Sequence, residues 1–329
     1  MRKGLRRILF AVRDVETVTP GALRKLADLT QGSTAVKIEL YHALTESVVV
    51  PPPGGAPKLN EVLDAVATEQ RQRLAKLART PALRDLRVEV QVDWDYPAHE
   101  AVIRRAVAIG ADLVVGEAHH HAGIARPFLQ NTDWELIRQC PIPLLLLKNG
   151  RRYRKPVVLA AVDPFHAGDK PASLDKALLA AGAQLADHLG GTLHLMHAWL
   201  PMTALVPTAA SAPVPIYLPD DVEAEHEKQT RKAFDQLAAR AGIKPAARHL
   251  VLGSVTESME AVTKRCRASI VVMGAISRRG LQRLVIGNTA ERMFGHLDCD
   301  LLVVKPPGFR SPVPARKTAR PRLIAPLPI

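Results

Sequence analysis

Short apolar runs alternate with stretches of helical period along nearly the whole chain. The runs in the first half are Ile8–Val12, Val36–Tyr41, Leu86–Val92, Leu113–Val115 and Leu144–Leu147. Those in the second half are Val157–Val162, Leu193–Met196, His249–Leu252, Ile270–Met273 and Leu301–Val304. Several are uniformly apolar, which predicts parallel strands covered on both faces. Between them, helices are expected over Thr19–Leu29, Asn60–Leu77, Pro97–Ile109, Ser173–Leu189, Asp221–Ala241, Val255–Arg265 and Asn288–Phe294. Helix punctuation is readable: Asp221, Glu223 and Glu225 crowd one first turn, where the helix dipole favours acids. Arg240 closes that helix and Gly242 follows it. Strands alternating with helices predict βαβ units and an open parallel sheet. Such sheets bind ligands outside the carboxyl ends of their strands, at the topological switch.

The pattern occurs twice. Leu40-Tyr41-His42-Ala43 matches Leu195-Met196-His197-Ala198 at an offset of 155. Ala111-Asp112-Leu113-Val114-Val115 matches Ala268-Ser269-Ile270-Val271-Val272 at 157, and Asn131-Thr132 matches Asn288-Thr289 at the same offset. Cys140, the apolar residues after it and Lys148 match Cys299 through Lys305. A conserved order at near-constant offset predicts two copies of one domain. The copies are assigned to residues 1–150 and 151–309, joined by basic Asn149-Gly150-Arg151-Arg152-Tyr153-Arg154-Lys155. The 329 residues agree, at roughly 150 per domain.

Composition narrows the class. Three scattered cysteines (Cys140, Cys266, Cys299) exclude a disulfide scaffold and point to a reducing compartment, the cytoplasm. The basic start is followed by an apolar run ending at Arg13, too short for a signal peptide. His188–Pro219 lacks charged residues until Asp220, but Pro201, Pro207, Pro213, Pro215 and Pro219 interrupt it. A strand and a proline-rich loop are expected there, with no membrane span. The net charge is +13. Residues 310–329 supply five of the basic groups and no acid, so a disordered Pro-rich tail is expected. Nucleic acid would be offered a surface by such a tail together with the arginines near Arg278, and aromatics at 4% disfavour base-stacking platforms.

The candidate chemistry lies in the second copy, in the segment from Met273 to Glu291. Gly274 ends a buried strand, where the lack of a Cβ lets backbone N–H groups approach a phosphate. Gly287-Asn288-Thr289 then opens a helix, whose N-terminus favours an anion. Arg278, Arg279 and Arg283 add positive charge. A strand-end turn followed by a capped helix accounts for the same residues without a ligand.

This segment resembles the nucleotide loop of the universal stress proteins: Gly, two residues, Gly, nine residues, Gly, then Ser or Thr. Gly274 and Gly287 keep the first and third glycines; Ser277 replaces the second, and Asn288 replaces the Ser/Thr. The resemblance covers the chain apart from the tail and is to members with two tandem domains. It implies a Rossmann-like fold of the adenine nucleotide alpha hydrolase type, each copy a five-stranded parallel sheet with helices on both faces. It implies ATP or another adenine nucleotide as ligand; the sequence itself requires no metal. By resemblance Asp163 holds the ribose, Ala161, Val162 and Ala198 line the adenine pocket, and Ser277, Arg278, Asn288 and Thr289 bind phosphates. It further implies self-association, by intrachain pairing of the two domains or as a homodimer. The function implied is a non-catalytic stress-response module; the family is open to slow ATP hydrolysis, but no residue here specifies it.

The first copy departs from the pattern. Gln130 stands where the second has Gly287, and Arg13 or Asp14 stands at the Asp163 position. It is expected to be structural or to bind something else. His119-His120-His121 diverge on an extended segment, so a closed tetrahedral metal site is not indicated. His197 repeats His42, which makes both scaffold residues. Catalytic motifs are lacking: there is no Gly-x-Ser-x-Gly and no P-loop, and Ser254, His249 and Glu257 have no triad spacing. The alternative to a nucleotide module is a binding module for an apolar ligand, nucleic acid or a protein partner. It would act through the apolar loops Ser47–Gly55 and Pro201–Pro219 and the basic tail.

Overall fold

The computed structural model describes residues 4–45, 48–49, 59–118, 131–165, 172–201, 220–275, 297–315 and 323–324. The strands are β1 Arg7–Ala11, β2 Lys37–Leu44, β3 Val48–Val49, β4 Arg87–Trp94, β5 Leu113–Glu117, β6 Leu144–Leu147, β7 Val157–Ala161, β8 Thr192–Trp199, β9 Arg248–Leu252, β10 Ala268–Gly274, β11 Asp300–Val304 and β12 Leu323–Ile324. The α-helices are α1 Pro20–Thr30, α2 Leu59–Ala78, α3 Ala98–Ala108, α4 Asn131–Gln139, α5 Ala172–His188, α6 Asp220–Arg240 and α7 Val255–Cys266. Contacts divide the chain into two compact units, Met1–Tyr153 with Asp300–Ile329, and Arg154–Cys299.

In the first unit β1 pairs in parallel with β2 and β5, β2 with β4, and β5 with β6. The order β4-β2-β1-β5-β6 is the expected five-stranded parallel sheet, with its switch point between β1 and β5. Ile8, Leu9, Ile38, Leu40, Val114, Val115 and Leu145 are fully or almost fully buried, as uniformly apolar strands require. Helix α1 begins at Thr19, whose Oγ1 accepts from the Ala22 N–H at 3.1 Å, with Pro20 in its first turn.

The second unit has four parallel strands among its described residues, in the order β10-β7-β8-β9. The run that repeats β6, Leu301–Val304, is β11, and it lies in the first unit, antiparallel to β6 with Leu302 opposite Leu145. The sequence boundary at 309 and the spatial boundary at 299 therefore differ by one strand.

A buried polar network holds the start of β11 in the first unit. Asp300 is fully buried. Its Oδ1 accepts the Lys148 backbone N–H at 2.8 Å, and its Oδ2 accepts from Lys25 Nζ and from the Tyr153 hydroxyl, each at 2.5 Å. Lys25 also donates to Asn149 Oδ1 at 3.0 Å. A carboxylate this deep requires such partners, because an unpaired buried charge is very costly.

Of the tail expected to be disordered, residues 310–315 and 323–324 are described. Arg104 Nη1 meets the Pro314 carbonyl at 3.5 Å, and Leu323–Ile324 forms β12, parallel to Val48–Val49 of β3. Among the described residues no helix is long and apolar enough to cross a membrane.

Candidate functional site

The carboxyl end of β7 is the centre of the second unit's candidate site. Ala161 pairs with Met196 of β8, and Ala160 pairs with Val272 of β10. Continuing those registers places Val162 and Asp163 between Ala198 on one side and Gly274 on the other. Five sequence-predicted residues, Ala161, Val162, Asp163, Ala198 and Gly274, thus gather at one strand end, at the switch between β7 and β10. Ser277, Arg278, Gly287, Asn288 and Thr289 lie outside the described residues, as do His119–His121, Gln130 and the helix expected over Asn288–Phe294. So does most of both apolar loops.

Asp163 is half-buried, and its Oδ1 accepts the Phe165 N–H at 3.2 Å. Its own N–H faces the carboxylate of Asp175, 3.3 Å from one oxygen. Asp175 is buried in the first turn of α5, where an acid also suits the helix dipole. Phe165 is 49% exposed, with its ring centroid 6.3 Å from that of His197. Gly274 has a packing reason of its own: a Cβ there would stand 2.6 Å from Cδ2 of buried Leu174 in α5.

The same position in the first unit is built differently. The repeated histidines fix the alignment: His42 Nδ1 lies 2.9 Å from the Val12 carbonyl, and His197 Nδ1 lies 3.0 Å from that of Val162. Val12 therefore corresponds to Val162, and Arg13, rather than Asp14, to Asp163. Arg13 Nη2 is 2.8 Å from Oδ1 of Asp133, a buried acid in the first turn of α4. At the 157-residue offset Gly274 corresponds to Glu117. The Glu117 carboxylate accepts the Thr19 hydroxyl at 2.5 Å and the Thr19 N–H at 3.2 Å. Glu117 was not legible as a site residue, because glutamate at a strand end reads as a solvated charge.

Other candidates resolve structurally. Ser254 accepts the Glu257 N–H at 3.4 Å and donates to its carboxylate at 2.8 Å, a reciprocal cap on α7. Buried Cys140 has its thiol pushed up to about 12, mainly by burial, which keeps it protonated. One further cluster escaped the sequence reading because three elements contribute to it. His194 of β8, His249 of β9 and Cys266 at the end of α7 bring three potential ligand atoms within 4.8 Å of one another.

The Universal stress protein family matches this chain twice, over residues 4–148 and 157–305. Universal stress protein E of Escherichia coli (strain K12) is 31% identical over 232 residues, covering 69% of this chain and 71% of that protein. Universal stress protein E of Photorhabdus laumondii is 26% identical over 232 residues, covering 70% and 73%. Among solved structures, a protein of unknown function from Pseudomonas aeruginosa PAO1 aligns with a TM-score of 0.66 at 22% identity. That alignment covers 92% of this chain and 93% of the other. A universal stress protein from Archaeoglobus fulgidus aligns with a TM-score of 0.62 at 14% identity, covering 91% and 98%. These two likenesses describe the fold.

Proposed function

Because the chain belongs to the universal stress protein family, carrying two of its domains in tandem, we propose that it is a non-catalytic stress-response module holding one adenine nucleotide per chain. The nucleotide sits at the carboxyl end of β7. Gly274 and Gly287 open the backbone to the phosphates, and Ser277, Arg278, Asn288 and Thr289 bind them. Asp163 takes the ribose, while Ala161, Val162 and Ala198 face the adenine.

The contrast between Gly274 and Glu117 carries this reading. Both end the strand beside the switch point, in equivalent positions of the repeat. In the second unit that end is small and uncharged. In the first it presents a carboxylate already bonded to Thr19. A phosphate brought to that strand end meets the Glu117 carboxylate, so the first copy is assigned a structural role. The glycine alone would not carry the argument, since Leu174 also requires it.

Asp163 is engaged with the Phe165 N–H. That suits it to orient a hydroxyl, so nucleotide is held rather than turned over. Cytoplasmic location and self-pairing through the two copies accompany this reading. Mass spectrometry of whatever leaves the purified, untagged protein on denaturation tests it. An adenine nucleotide at near one per chain supports the site. A lipid or another apolar molecule, or nothing, would mean that Ser277 and Asn288 have retired it.

A further inference from the structure

We propose that His194, His249 and Cys266 form a site for a borderline divalent cation of the zinc class, at the end of the second unit's sheet opposite the nucleotide site. His194 is the third residue of β8, His249 the second of β9, and Cys266 the last of antiparallel α7. All three therefore meet at the amino ends of the strands. All are half-buried, within reach of solvent but held by the sheet.

The donor geometry fits the ion. His194 Nδ1 and His249 Nε2 are 3.0 Å apart, their rings stacked at 21° with centroids 5.3 Å apart. Zinc–nitrogen and zinc–sulfur bonds of about 2.1 and 2.3 Å in a tetrahedron put donor atoms roughly 3.3 to 3.6 Å apart. The two nitrogens must part slightly and their rings turn toward a common point, and Cys266 Sγ lies within 4.8 Å of one ring nitrogen of each histidine. Two imidazoles and one thiolate leave a fourth position for water or a partner's donor, the composition of an open zinc site.

The plain alternative is a hydrogen-bonded pair of histidines. Cys266 stands beside that pair as a third potential donor, which a hydrogen bond between two histidines does not require. Arg265 Nη2 lies 3.3 Å from His249 Nδ1. When Nε2 holds the ion, the ring's one proton sits on Nδ1, so the guanidinium must turn away; it is exposed and can do so. Arg265 thus opposes the ion, and removing it should tighten binding. On binding, Cys266 gives its proton to solvent and its thiolate pair to the metal.

Cobalt(II) titration of the reduced full-length protein tests the proposal. The expected result is a near-ultraviolet thiolate-to-cobalt band saturating at one equivalent, abolished by zinc and lost in Cys266→Ser and His249→Gln. Arg265→Gln, which touches no ligand atom, should bind more tightly. A second readout uses a thiol reagent, which should modify Cys266 before buried Cys140 and Cys299. Zinc should protect that thiol in the wild type and not in His249→Gln, with folding of each variant checked by circular dichroism. No cobalt band, a band retained in Cys266→Ser, or binding in Arg265→Gln that is anything but tighter would overturn the proposal.

Discussion

Lys25 and Asp300, 275 residues apart, form a buried ion pair at 2.5 Å with 1% and 0% of their side chains exposed. The pair fixes where the second copy's last strand is placed. Tyr153 completes it, donating its hydroxyl to the same oxygen while its ring lies 5.1 Å from the Lys25 ammonium.

Breaking this pair from one side leaves the other charge buried. Asp300→Ala should therefore lower stability by about 3–5 kcal/mol. The double variant Lys25→Met/Asp300→Leu should recover most of that loss, because two apolar groups need no partners. Urea melts of the wild type and the variants, compared in midpoint and slope, check both statements.

Gly274 separates packing from ligand binding. Gly274→Ala drives a methyl into Leu174 and should cost about 1–3 kcal/mol. Adding Leu174→Ala should relieve the clash, although the Leu174 truncation has its own cost. Thermal melts of the two single variants and the double variant would show this as positive coupling. Nucleotide affinity restored along with stability would place the role of Gly274 in the helix contact.

Lys305 supplies a pH dependence. Its Nζ donates to the Arg138 carbonyl at 2.7 Å, and burial pushes it from 10.5 down to about 8. Because the folded value is lowered, the unfolded chain binds more protons above pH 8. Wild-type stability should therefore rise from pH 8 towards 10.5, by up to about 1.4 kcal/mol per pH unit. Cys140, raised from 9 to about 12, acts in the opposite direction above pH 9. The clean window is pH 7 to 9, and the rise should be missing in Lys305→Met. Chemical melts across that window measure it.

Much of this architecture was readable in the chain. Uniformly apolar runs such as Leu144–Leu147 became buried parallel strands, and the repeated His42 and His197 make the same hydrogen bond in both copies. The placement of β11 was not readable, because Leu301–Val304 satisfies a parallel or an antiparallel neighbour equally well. Its position depends on Asp300 meeting Lys25, a contact no periodicity encodes. The chain end was read from its charge, yet the apolar pair Leu323–Ile324 decides its pairing with β3. At the candidate site, Gly274 was offered by the loop spacing and Asp163 only by the family resemblance. Glu117 and the His194–His249–Cys266 cluster were not, since their meaning depends on which elements face each other.

Under the proposed function one copy binds an adenine nucleotide and the other does not. Equilibrium titration of the nucleotide-free protein with ATP, read by calorimetry, separates the two copies. One site per chain is expected, lost in Gly287→Arg through side-chain bulk at the phosphates and unaffected by Glu117→Gln. Two equivalent sites per chain, or unchanged affinity in a folded Gly287→Arg protein, would contradict it.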